Sequence, residues 1–80
     1  MTKVRSNLIN LMRSARIAAD LTQQEAADGA SVPRVTLARF EAGTGDVFAA
    51  QLARLLSLYA AHGVRIDILA GTVQIKEANS

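Results

Sequence analysis

Apolar positions recur every three to four residues up to Gly63 and alternate thereafter. Leu8, Met12, Ala15 and Ala19 share one helical face, with Leu11 and Ala18 flanking it. They predict a helix over residues 6–19, capped by Ser6. Thr22 followed three residues later by Glu25 is a capping box, opening a second helix expected to end near Asp28-Gly29. A third begins around Pro33, whose missing N–H is no loss in a first helical turn, and stops at Ala42-Gly43. After the loop Thr44-Gly45-Asp46, Asp46 is placed to cap a fourth helix. Its inner stripe is Phe48, Leu52, Leu55, Leu56 and Tyr59, and it ends at Gly63.

The period then changes to two. Val64 to Ile68 reads as a strand with Val64, Ile66 and Ile68 on one face. Gly71-Thr72 suits a tight turn with glycine in its first central position, and Val73 to Lys76 alternates again. The expected organisation is a helical body over residues 1–63, a β extension over 64–76 and a disordered polar end over 77–80.

Residues 23–42 are the most informative stretch. Ala26, Ala27, Ala30, Val32, Leu37 and Phe40 can close one seam across the second and third helices. Ala27 sits where the helices would cross closely, and a larger side chain would wedge them apart. Gln23, Arg34, Val35, Thr36 and Arg39 fall outside the seam and face out. A short basic helix held proud of a packed pair is a shape that fits the DNA major groove.

In these positions the chain resembles the helix-turn-helix proteins of the phage Cro and repressor (XRE) family, from about residue 11 to residue 63. The resemblance implies a mainly α fold, a four-helix lambda-repressor-like domain carrying a short C-terminal β-strand or hairpin. Positions 34, 35 and 39 match the family's base-reading positions, and Thr36 lies beside them. Gln23 matches its phosphate-contacting glutamine, with Thr44 and Arg13 as further phosphate candidates and Lys3 and Arg5 as arm residues. Arg16 and Glu41 match positions that form a salt bridge between the first and third helices. Two departures stand out. Asp20 and Ser31 occupy positions that are commonly glycine, and Ala26 and Ala30 replace larger residues, so the local core looks underfilled.

Composition narrows the picture. Eighty residues make one domain with a core small enough to call for added stabilisation, oligomerisation being one route. The chain has no cysteine, which excludes disulfides and thiolate metal sites. No apolar run approaches the roughly 18 residues that span a bilayer, and the N-terminus MTKVRSNLIN lacks the apolar core of a signal peptide, so a cytoplasmic protein is expected. The net charge of +2 says little; Lys3, Arg5, Arg13, Arg16, Arg34 and Arg39 lie in the first half against Asp20, Glu25, Asp28 and Glu41, a modest basic bias that suits a phosphate backbone or an ordinary solvated face equally. His62, the single histidine, sits at a helix end without a carboxylate cluster or glycine-rich loop. No catalytic role, metal or cofactor is expected.

A two-stranded hairpin is marginal alone, and its edges offer free backbone groups. The economical solution is pairing with the same strand of a second subunit, through Val64, Ile66, Ile68, Val73 and Ile75. This layout resembles antitoxins of the HipB type. The alternative is an intrachain hairpin folded over helices 1 and 4. Two functions follow: a homodimeric repressor reading a palindromic double-stranded DNA operator, or an antitoxin that binds a toxin protein and autoregulates its operon. A protein-interaction module on the same scaffold is a third.

Overall fold

A computed structural model describes residues 2–76, with side chains from residue 6 onward. The chain forms α1 (Thr2–Ala18), α2 (Gln23–Ala30), α3 (Arg34–Ala42) and α4 (Ala49–Ala61), then strands β1 (Val64–Asp67) and β2 (Thr72–Ile75). The sequence-predicted fold class stands: four helices and a C-terminal antiparallel hairpin.

Helix boundaries differ from expectation for identifiable reasons. α1 starts at Thr2, so Ser6 lies within the helix and does not cap it. α2 opens with the predicted capping box, Thr22 Oγ1 accepting from Glu25 N–H at 3.0 Å and Glu25 Oε1 accepting from Thr22 N–H at 2.9 Å. It runs through Gly29 to Ala30, because Ser31 and not the glycine takes the left-handed conformation that ends it, at φ 56°. Asp46 does not cap α4. Phe48 holds that place, its N–H donating to Gln51 Oε1 at 2.8 Å, and its ring is therefore 79% exposed rather than on the inner stripe. Both positions where glycine is usual, Asp20 and Ser31, do have positive φ. Serine and aspartate adopt that region at a cost of about 1 kcal/mol or more each.

The core gathers Ile9, Met12 and Ala15 of α1, Leu37 and Phe40 of α3, Leu55 and Tyr59 of α4, and Val64 of β1. Ile9, which the sequence pattern left out, is buried where Leu8 is only half-buried. Ala26, Ala27 and Ala30 are buried along α2, so small side chains let that helix lie close to its neighbours. A Cβ on Gly29 would come within 3.0 Å of Leu58 Cδ2, marking how near α2 approaches α4.

The tail folds back within its own chain. β1 and β2 pair antiparallel, with Val64 opposite Ile75 and Ile66 opposite Val73, and the hairpin rests on α1 and α4. Gly71-Thr72 is not the turn. Residues 68–71 form the connection, and Asp67 Oδ1 accepts from Ala70 N–H at 3.0 Å across it. Ile68 consequently leaves the strand and is exposed. The expected disordered end, residues 77–80, lies outside the described residues.

Tyr59 is 1% exposed, and its hydroxyl has no hydrogen-bond partner among the described residues. Burial foremost, then the nearby Glu41 carboxylate, pushes its pKa up to about 12. The folded-state value lies above the ordinary one, so the Tyr59 contribution to stability is full below pH about 10 and falls by up to about 1.4 kcal/mol per pH unit between about 10 and 12. Tyr59 is the single tyrosine of a chain without tryptophan, so tyrosinate absorbance reports on it alone. Alkaline denaturation should track that absorbance, and Tyr59→Phe should flatten this part of the stability profile. Identical profiles for both proteins would refute the assignment.

Candidate nucleic-acid interface

α3 is nine residues long and divided by its own periodicity. Leu37, Phe40 and Glu41 are buried, whereas Arg34, Val35 and Arg39 are exposed, Val35 at 54%. Val35 and Arg39 are four apart and so share the outer face, with Arg34 beside Val35 at the helix start. Thr36 is half-buried and less open than its neighbours. The two cations and one small apolar group therefore project together from a helix whose opposite side is locked into the core.

That lock is a forked ion pair. Arg16 Nε donates to Glu41 Oε2 at 2.8 Å and Nη2 to Glu41 Oε1 at 3.0 Å, while Nη1 reaches Leu21 O at 2.8 Å. The side chains are only 13% and 3% exposed. The hydrogen bond to Glu41 holds the Arg16 pKa above its ordinary value, outweighing desolvation, which acts the other way. One guanidinium thus joins α1, the loop before α2 and the last turn of α3.

Gln23 is half-buried, and its Nε2 donates to Glu41 Oε1 at 3.2 Å. Its side chain belongs to the same network rather than standing free, a contact the sequence did not announce. What remains at the start of α2 is the positive helix end, whose first N–H groups have no partner within the helix. There Glu25 is held below the usual carboxylate range, first by the Thr22 backbone N–H.

The loop after α3 wraps its C-terminal end. Gly43 turns left-handed at φ 79°, and Arg39 O accepts from Thr44 N–H at 2.9 Å, Gly45 N–H at 3.1 Å and Thr44 Oγ1 at 3.3 Å. Thr44 is exposed beside the base-reading candidate Arg39. A Cβ on Gly45 would lie 2.9 Å from Arg39 Cβ, so only glycine lets the loop pass there. Arg13 is exposed on α1. Lys3 and Arg5 lie in α1, their side chains outside the described part. His62 is exposed at the end of α4, and among the described residues no cluster of His, Cys, Asp or Glu could hold a metal ion.

A residue missed by the sequence reading completes the site. Arg54 of α4 donates from Nε to Ala30 O at 2.7 Å and from Nη2 to Ser31 O at 3.3 Å, reaching the turn between α2 and α3. No local pattern marks it, because its targets are backbone carbonyls more than twenty residues away.

Two helices joined by a tight turn, the second braced from behind and basic in front, define a helix-turn-helix unit. A family model described as a helix-turn-helix domain matches residues 10–69. The chain belongs to that family, and the membership supports DNA binding as its activity. No curated protein and no solved structure matches the chain. No helix among the described residues is long and apolar enough to cross a membrane.

Removing the Glu41 carboxylate strands Arg16 and frees Gln23, a change worth about 2–4 kcal/mol. Glu41→Ala should lower the melting temperature by about 10 °C or more. Asp67→Asn, whose amide oxygen can still accept from Ala70, should change it by far less. Equal melting temperatures would count against the network.

Proposed function

We propose that this chain is a sequence-specific DNA-binding repressor that acts as a homodimer on a palindromic operator. The observation that carries this reading is the outer face of α3, where Arg34, Val35 and Arg39 stand exposed on a helix pinned by Leu37, Phe40 and Glu41. Arg34 and Arg39 have the forked donors that recognise guanine O6 and N7, and Val35 suits a thymine methyl group. Thr36 flanks them. The start of α2 with Gln23, the Thr44 loop and Arg13 are the phosphate contacts that set register.

A single head reads one half-site, and two related by a two-fold axis read a palindrome about one helical turn apart. Of the predicted dimerisation residues, Val64 is taken up by the chain's own core, and Ile66 and Val73 are half-buried against it. Ile75 at the hairpin base is 64% exposed, and at the opposite end Ile68 is 62% exposed beside a fully exposed Leu69. These exposed residues, with the outer strand edges of a two-stranded sheet, are the surface we assign to the second copy.

Sites selected from a random DNA library provide the operator for the test. Arg34→Ala combined with Arg39→Ala should weaken operator binding by about 100-fold or more. The exposed positions should cost less than about 1 kcal/mol of stability. Operator affinity should fall steeply with salt, and light scattering at micromolar concentration should give a dimer. Unchanged binding in the double variant would favour a protein-interaction module. A monomer would remove the dimer.

A further inference from the structure

The turn between α2 and α3 decides the direction in which α3 leaves the body. Its backbone closes on itself only in part. Ser31 N–H returns to Asp28 O at 3.3 Å and Val32 N–H to Ala27 O at 2.9 Å. The carbonyls of Ala30 and Ser31 instead accept from one guanidinium, Arg54 Nε at 2.7 Å and Nη2 at 3.3 Å. These are the carbonyls at the negative end of α2, where a cation is favoured.

Ser31 lacks the freedom of glycine yet sits at φ 56°. Such a conformation persists where the surroundings over-determine it. α4 supplies those surroundings. Leu58 packs where a side chain at Gly29 would collide, and Arg54, one turn earlier on α4, holds the next two carbonyls.

We infer that Arg54 is a positioning residue for α3. It fixes the turn and thereby the angle at which Arg34 and Val35 are presented; the consequence for DNA rests on the proposed function above. Arg16 secures the far end of α3 through Glu41, so two arginines from two different helices hold the recognition helix at both ends. Lysine cannot replace Arg54 in full, because a point charge does not reproduce a planar fork spanning two oxygens.

The test compares the full chain with Arg54→Met, which keeps the stem and removes the donors, and with Arg54→Lys. Amide hydrogen exchange should show protection at Val32, Thr36 and Leu37 falling by about tenfold or more in Arg54→Met and by less in Arg54→Lys, with Leu55 and Tyr59 unchanged. Well below the melting temperature, the ratio of affinities for selected operator and random duplex should fall about tenfold, the worth of one lost base contact. The salt dependence should stay the same. A uniform loss of protection throughout the body, or no local loss, would overturn the inference. So would a salt slope reduced by about one with the ratio preserved, the signature of a phosphate contact. If the unaltered chain selects no site, the DNA-binding reading fails, and the exchange data alone decide whether Arg54 holds α3.

Discussion

A helix of nine residues does not hold its shape in water, so α3 exists only through what its inner face meets. Leu37 and Phe40 supply the apolar part of that contact, and Glu41 supplies the directional part. The Glu41 carboxylate accepts two bonds from Arg16 and one from Gln23, binding α1, the start of α2 and the end of α3 to one point. Apolar packing alone would let α3 slide or rotate by a fraction of a turn. A forked pair with fixed geometry does not, and rotation of α3 would change which side chains reach outward.

This arrangement has a cost that the neighbouring residues reveal. Burying two charges gains little net stability, because desolvation offsets their attraction. Tyr59 lies close enough to feel the Glu41 charge, yet its hydroxyl finds no partner among the described residues. Asp20 and Ser31 both hold left-handed backbone without being glycine. The body therefore carries several small penalties, all near the elements that orient α3. Orientation rather than maximal stability is what these residues have in common.

How much of this was legible in the sequence depended on how local the cause was. The capping box of Thr22 and Glu25, the stop at Gly43 and the change of period after Gly63 act within a few residues, and each appeared where expected. The Arg16–Glu41 pair came from the family resemblance, since nothing in spacing joins positions twenty-five apart. Arg54 escaped notice because its partners are main-chain oxygens, which every residue carries. Phe48 was misplaced by extending the leucine stripe one step too far, past the point where α4 begins. The Ile68 side chain was lost from the strand because Asp67, not Gly71, organises the turn. The outward set Arg34, Val35 and Arg39 was legible because a buried face with a known period dictates the exposed one.

The hairpin shows why one chain leaves part of its apolar surface unused. Facing residues in an antiparallel pair point to the same side, so Val64 and Ile75 share a face, as do Ile66 and Val73. Val64 is 1% exposed and Ile75 64%. The helices thus cover the β1 side of this face at the hairpin base and leave the β2 side open there. Extending the cover within the chain would need another apolar element, and among the described residues the four helices already share a single core. In the proposed homodimer, a second copy brought up by symmetry would supply that cover without new sequence, since each hairpin would offer the other the same residues. A two-fold axis is also what two copies of α3 need to meet a palindrome, so the proposed cover for Ile75 and the proposed pairing of DNA-binding heads call for the same symmetry.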